Sequence, residues 1–216
     1  MRIVFDLDGT LIDSAPDIHA TSNAVLEERG FAPLTYAQVK SFIGKGVPHL
    51  VHQLLQASEA DPNGPLHAEM VAAINARYER AVGLTQPYPG VREALAALAA
   101  QGWRLGICTN KPLAPTRAVL RHLDLQDAFE IVLGGDSLPE RKPDPTPLYA
   151  AFAGLGEGPA LYVGDSEVDA ETAARAEIAF ALYTEGYRKA PVETLPHDVA
   201  FADYAELPAI AAQVAR

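Results

Sequence analysis

The sequence predicts an α/β fold: a parallel sheet covered by helices on both faces, with an all-α segment inserted after the first strand. Three observations carry this prediction. The chain opens with a short β-branched and aromatic run, Arg2-Ile3-Val4-Phe5, that ends at polar, glycine-containing sequence. From Ser14 to Val82 the apolar periodicity is helical and no strand pattern intervenes. Beyond Pro87-Tyr88-Pro89-Gly90, short apolar runs alternate with helical segments, as strands joined by crossover helices do.

Taken in order, the first strand delivers Asp6, Leu7, Asp8, Gly9 and Thr10 to a loop at its C-terminal end. The helical segment opens at Ser14, a candidate cap, with Pro16 in the first turn. Thr35-Tyr36-Ala37-Gln38 has the capping-box pattern that satisfies amides at a helix start. Residues 67–82 place Met70, Val71, Ile74, Tyr78 and Val82 near helical spacing. Further strands are predicted at 103–108, 130–133, 160–163 and 178–182, with helices at 91–100, 113–123, 146–153 and 167–176. A strand at 199–201 and a helix at 207–214 close the unit. An all-α insert offers the first strand no partner, so that strand returns to the later sheet. The predicted boundaries are therefore 1–13 with 84–216 for the α/β core and 14–83 for the helical domain. Ligands of such sheets sit beyond the strand C-termini.

Composition narrows the function. The chain of 216 residues is 49% hydrophobic and 21% charged, and no apolar run approaches the roughly 20 residues that cross a bilayer. No membrane association is predicted. MRIVFDLDGT has too little apolar sequence for a secretory leader, which predicts a cytoplasmic location. The formal net charge of −11 argues against nucleic acid and anionic membranes, which require a positive footprint. An anionic substrate must then be met by a few placed cations, amides or a metal. Cys108 is the sole cysteine, so no intrachain disulfide or multi-cysteine metal site is available, and its neighbours Leu105, Gly106 and Ile107 predict a buried thiol.

Four polar clusters follow four separate strands. Asp6 and Asp8 are two residues apart, so an extended chain points both carboxylates the same way. They repel unless a cation offsets them, and oxygen-only ligands suit hard magnesium; taken alone, the same pair is equally a solvated turn. Gly164-Asp165-Ser166-Glu167-Val168-Asp169 follows the apolar Leu161-Tyr162-Val163 and repeats the arrangement. Asp165 could reach the same cation, and Asp169, one helical turn on, could support that site or orient Lys142. Helix capping by Asp165 or Ser166 is the structural alternative. Cys108-Thr109-Asn110 offers a hydroxyl and backbone amides to phosphate oxygens, and Arg141-Lys142-Pro143-Asp144-Pro145 offers a compact cation.

In this order DLDGT (Asp6 to Thr10), Thr109-Asn110, Lys142 with its PDP, and GDSEVD (Gly164 to Asp169) resemble the four motifs of the haloacid dehalogenase-like hydrolase superfamily, across nearly the whole chain. The resemblance implies a Rossmann-like core with a helical cap inserted after the first strand. It implies that Asp6 is the nucleophile and Asp8 the general acid/base, and that Thr109, Asn110 and Lys142 bind the transferring phosphoryl group. It also implies that Mg2+ is held by Asp6, the main-chain carbonyl of Asp8, and Asp165, with Asp169 adjacent. Because the dehalogenase branch lacks a carboxylate at the position of Asp8, the implied reaction is phosphoryl transfer from a small anionic phosphomonoester, by a monomer or homodimer.

Within the superfamily, FDLDGTLIDSAPDI, FIGKGVPHLV, YPGV, TNKP, GGDSLPERKPDP and GDSEVDAETAARA are most similar to phosphoglycolate phosphatases. That similarity implies 2-phosphoglycolate as substrate, with glycolate and inorganic phosphate as products. Another small phosphomonoester, a phosphosugar mutase of the β-phosphoglucomutase kind, and a non-catalytic phosphate- or metal-binding module remain as alternatives. The resemblance implies specificity from the cap, where Gly44, Lys45 and Gly46 are the candidates; Lys45 either meets a substrate carboxylate or sits on a solvent-facing turn. His49 and His52 are predicted to be packed or exposed and not to bind metal. Gly154-x-Gly-x-Gly158 precedes a strand, the wrong order for a dinucleotide loop. Arg188 follows the last core strand and is predicted to be surface-exposed.

Overall fold

The computed structural model describes residues 1–214. The chain runs β1 (Arg2–Phe5), β2 (Ile12–Asp13), α1 (Ala15–Glu27), α2 (Tyr36–Ser41), α3 (Val47–Ala57), α4 (Pro65–Tyr78) and β3 (Gln86–Pro87). It continues through α5 (Val91–Ala100), β4 (Arg104–Cys108), α6 (Leu113–His122), β5 (Ile131–Leu133), α7 (Thr146–Gly154), β6 (Ala160–Gly164), α8 (Glu167–Ala176), β7 (Ala179–Tyr183), β8 (Val199–Phe201) and α9 (Leu207–Val214). No helix among the described residues is long and apolar enough to cross a membrane.

Six parallel strands form one sheet of order β5-β4-β1-β6-β7-β8. β1 pairs with β4 on one side and β6 on the other, so the chain leaves it in one direction and later returns on the opposite side. This is the topological switch point where open α/β sheets bind ligands. The period-two alternation of buried strands splits the core between two faces. Ile3 and Phe5 pack with residues of α5, α6 and α9, whereas Val4 and Cys108 pack with residues of α7 and α8.

Helices α1 to α4 gather a separate cluster that includes Ile18, Leu26, Val39, Leu54, Met70 and Ile74. The capping box predicted at Thr35 forms: its hydroxyl accepts from the Gln38 amide, and the Gln38 side chain accepts from the Thr35 amide. The predicted 67–82 helix instead starts at Pro65 and ends at Tyr78. Pro65 carries the fixed φ that suits a first turn, and Val82, beyond the helix, packs against the sheet cluster instead. The strand predicted at 178–182 lies one residue later, and those predicted at 103–108 and 130–133 each start one residue later.

The two crossings between sheet and helical segment lie side by side as an antiparallel ribbon, Ile12 opposite Pro87 and Asp13 opposite Gln86, which the sequence reading does not contain. Asp17, at the start of α1, accepts from the Thr85 amide and hydroxyl at 2.7 and 2.6 Å and from the Leu84 amide at 3.0 Å. The outgoing and returning chains are thereby fastened to each other.

The loops after β4 and β5 pack backbone to backbone, because Gly135 leaves room that any side chain would take: a Cβ there would overlap the carbonyl of Asn110. Gly135→Ala is expected to lower stability by about 1–3 kcal/mol, the usual cost of overpacking, read as a lower Tm in thermal unfolding.

Candidate active site

The site is assembled where β1, β4 and β6 end. The Asp6 amide continues the ladder by donating to the Val163 carbonyl at 2.9 Å, which fixes its backbone where β1 and β6 end. The chain then turns at Gly9, whose φ of +89° favours glycine and whose missing Cβ would lie 2.5 Å from Asp165 Oδ2. A carboxylate from β6 can thus reach the β1 loop.

Lys142 is the electrostatic centre. Its ammonium donates to Asp169 Oδ1 at 2.7 Å and to the Tyr162 hydroxyl at 2.8 Å, and pairs with Asp6 Oδ1 at 2.9 Å. Burial alone would push this lysine down, but the Asp169 and Asp6 carboxylates outweigh it and hold its pKa above the ordinary value. Asp169, fully buried, takes its Oδ1 partners from Lys142 and Tyr162, while its Oδ2 accepts from the Ser166 hydroxyl at 2.6 Å and from the amides of Ser166 and Asp165. Burial would raise Asp169, but Lys142 leads the opposing effects and holds it below the usual carboxylate range. Both of its oxygens are engaged, so of the two roles predicted for Asp169 this geometry suits the orientation of Lys142 better.

Asp6 and Asp165 are less well compensated. Asp6 is raised to about 6 by burial, with Lys142 opposing, and its Oδ1 meets Lys142 outside hydrogen-bond directions. Asp165 accepts from the Thr10 hydroxyl at 2.7 Å and the Tyr187 amide at 2.6 Å, yet burial and the neighbouring Asp169 and Asp6 push it far up. Asp6, Asp165 and Asp169 each place an oxygen within 4.8 Å of the others, the one such cluster among the described residues. Under-compensated, oxygen-only and buried, it fits a hard divalent cation. Neither His49 nor His52 belongs to any such group.

Asp8 faces the other way, toward the helical segment. Its Oδ1 accepts from the Ser14 hydroxyl at 2.6 Å and from Lys111 at 3.1 Å, and Lys111 lies 3.3 Å from its Oδ2. Ser14 precedes α1 but makes no side-chain cap; its hydroxyl is given to Asp8 instead. The Thr109 hydroxyl accepts from the Lys111 amide at 3.2 Å and keeps its proton available.

Between sheet and helices lies a cavity of about 40 Å³ lined by Asp6, Asp8, Thr109 and Lys111 from the core and by Ile18, Ile43, Val47, Leu50 and Tyr78 from the helical segment. Gly44 and Gly46 also line it, but the Lys45 side chain is exposed and does not. The flanking glycines turn the backbone inward, at φ +117° and +83°, and leave the intervening side chain outside. Asn110, predicted to bind phosphate, also lines the cavity. Its amide donates to the Gly44 carbonyl and the Lys142 carbonyl, each at 3.0 Å, and ties the helical segment to the core. Arg188 is half-buried, with Nε inaccessible, where exposure was predicted. Cys108 is buried with its thiol pushed up to about 12 by that burial, a neutral core group.

Sequence reasoning missed Lys111, Tyr78 and Tyr187. The Tyr187 hydroxyl donates to Asp13 at 2.7 Å and accepts from the amides of Ser14 and Ala15 at 2.8 and 2.9 Å. One residue therefore holds both Asp165 and the start of α1. The signal for Lys111 was present, since it directly follows Thr109-Asn110; Tyr187 carried none.

A family model for haloacid dehalogenase-like hydrolases matches residues 3–183, and the chain belongs to that family. Among curated proteins, it is 52% identical over 207 residues to a phosphoglycolate phosphatase of Cereibacter sphaeroides, covering 95% of each chain. It is 50% identical over 208 residues to one of Rhodobacter capsulatus, covering 96% of this chain and 95% of the relative. Among solved structures, a Haemophilus somnus protein described as a predicted phosphoglycolate phosphatase superposes with a TM-score of 0.90 at 32% identity, over 96% of both chains.

Two outcomes test the electrostatics. Asp6→Asn is expected to stabilise the protein in chelator above pH 6, by on the order of 2–3 kcal/mol. Wild-type Asp6 keeps its proton in the folded state up to about 6 but releases it near 3.8 when unfolded, so wild-type stability is lost as the pH rises through that window. The advantage of the variant should fade below about pH 4, which Tm against pH measures. Lys142→Met strands two buried carboxylates and is expected to cost about 3–5 kcal/mol, read from the midpoint of denaturant unfolding.

Proposed function

We propose that this chain hydrolyses 2-phosphoglycolate to glycolate and inorganic phosphate through a phosphate ester of Asp6, with magnesium as its cation. The observation that carries this is the division of labour between two carboxylates two residues apart. Asp6 lies buried beside Lys142, and Asp8 faces the cavity under the helices, in a chain half identical to phosphoglycolate phosphatases along nearly its whole length.

In this mechanism an Asp6 oxygen forms a bond to phosphorus as the ester P–O bond breaks on the opposite side. Asp8 delivers its proton to the departing alkoxide, and Ser14 and Lys111 hold it at the leaving group. Asp8 then takes a proton from the water whose oxygen attacks the phosphorus of the aspartyl phosphate, restoring Asp6 and freeing phosphate. Thr109 donates its hydroxyl to a phosphoryl oxygen, and Lys142, oriented by Asp169 and Tyr162, keeps Asp6 an anion and offsets phosphoryl charge. Magnesium, held by Asp6, Asp165 and the Asp8 carbonyl, would supply further positive charge for the phosphoryl oxygens. Residues 14–83 act as a cap: their apolar wall excludes water from Asp6.

Steady-state phosphate release across 2-phosphoglycolate, sugar phosphates, nucleotides, pyridoxal phosphate and pyrophosphate tests the proposal. Turnover is expected to require magnesium, to vanish in chelator and in Asp6→Asn, and to favour 2-phosphoglycolate. Activity that survives chelator would sink the mechanism. No release from any compound would leave a mutase, recognised by its need for a bisphosphate activator, or a binding module.

A further inference from the structure

The cavity contains one cation whose purpose the chemistry above does not exhaust. The Lys142 ammonium is hydrogen-bonded to Asp169 and Tyr162, paired with Asp6 and not part of the cavity lining, and Lys45 points outside. Lys111 is the one cationic residue on the cavity wall among the described residues. Its side chain is 8% exposed, lies against Asp8, and sets its ammonium 5.2 Å from the centre of the Tyr78 ring. A lysine ammonium has three donors, and only one anionic side chain, Asp8, pairs with this one.

We infer that Lys111 is the specificity-determining residue of the site, receiving a second anionic group of the substrate, a carboxylate one carbon removed from the phosphate ester oxygen. This rests on the proposed function, because Asp8 marks where the ester oxygen must lie. In O–CH2–COO− the carboxylate is the next group after the methylene, and of the two side chains that donate to Asp8, Ser14 and Lys111, it is Lys111 that lines the cavity. The opposite wall reinforces the assignment. Ile18, Ile43, Val47 and Leu50 have no side-chain hydrogen-bonding group, and Tyr78 is the one residue of the helical segment on this wall with a side-chain hydroxyl, so most hydroxyls of a sugar or nucleoside would meet apolar surface there and lose their partners. The site is built for a leaving group that is short, apolar in its middle and charged at its end.

The test compares kcat/KM for 2-phosphoglycolate with that for ethyl phosphate, which keeps the two-carbon ester and replaces the carboxylate with methyl. Wild type is expected to prefer 2-phosphoglycolate by about 100-fold or more, as sites built for a polar group reject analogues that lack it. Lys111→Met should cut that preference at least about tenfold, mainly by raising KM for 2-phosphoglycolate, and Lys111→Arg should retain it. Ser14→Ala removes the other side-chain donor to Asp8 and should lower both substrates by the same factor, leaving the ratio unchanged. If Lys111→Met also lowers both equally, Lys111 acts only through Asp8 and the inference is overturned. A wild type that hydrolyses ethyl phosphate as well as 2-phosphoglycolate overturns it too while leaving the phosphatase standing, whereas a wild type inactive on both removes the proposed function itself. Calorimetric binding of 2-phosphoglycolate to Asp6→Asn, with and without Lys111→Met, reads the contact without turnover; equal affinities would refute it.

Discussion

Everything near the site is arranged around one buried ammonium. Lys142 sits among Asp6, Asp169 and the Tyr162 hydroxyl, and without it the ends of β1 and β6 would bring three carboxylates together with nothing between them. Buried ion pairs seldom add net stability, because desolvation offsets their attraction, but removing one partner is costly. The cluster is better understood as a constraint than as a stabiliser. Asp169 has five hydrogen bonds that fix it, it in turn fixes Lys142, and Lys142 faces Asp6. Asp6 and Asp165, which lack that many partners, are left the less compensated carboxylates of the cluster, and the proposed mechanism gives the attack on phosphorus to Asp6.

The second constraint is mechanical. The helical segment is joined to the sheet by two short strands, and the polar contacts across that junction converge on the chemistry. Tyr187 reaches the amides of Ser14 and Ala15 with its hydroxyl and Asp165 with its own amide. Ser14 passes the connection to Asp8, and Asn110 bridges the Gly44 carbonyl to the loop that carries Lys142. A change in where α1 begins would therefore be felt at Asp8 and Asp165 together. Coupling of this kind needs no long pathway, because the junction and the two carboxylates already share partners.

The fold was legible because its signals are local and repetitive. β-branched runs followed by turn residues recur at β1, β4, β5 and β6, and each is followed by helical periodicity, so a parallel sheet and its strand ends could be read directly. The polar residues that the structure gathers at those ends were legible for the same reason: Asp6, Asp8, Thr109, Lys142, Asp165 and Asp169 each follow a strand. What escaped depends on contacts between distant segments. The β2–β3 ribbon is two residues on each side and includes a proline, so it has no periodicity to detect. For Lys45 the sequence left two readings, a contact with a substrate carboxylate and a solvent-facing turn, because the direction of such a turn is decided by packing against Asn110 and not by its composition. Tyr187 carries no local signal, because the partners of its hydroxyl, Asp13, Ser14 and Ala15, lie more than a hundred residues away in the chain.

The formal charge of −11 poses a problem that the site resolves locally. An anionic substrate approaches a predominantly anionic surface and must finish beside Asp6 and Asp8. Long-range attraction is not available, so recognition falls to groups that act over a few ångströms in a low-dielectric pocket, where a single ammonium counts for far more than it would in water. That explains why the cations near the chemistry, Lys142 and Lys111, are both nearly inaccessible, with side chains 2% and 8% exposed. It also explains the apolar wall above them. Ile18, Val47 and Leu50 contribute no attraction of their own, but by keeping water out they let two lysines do what a basic surface does elsewhere.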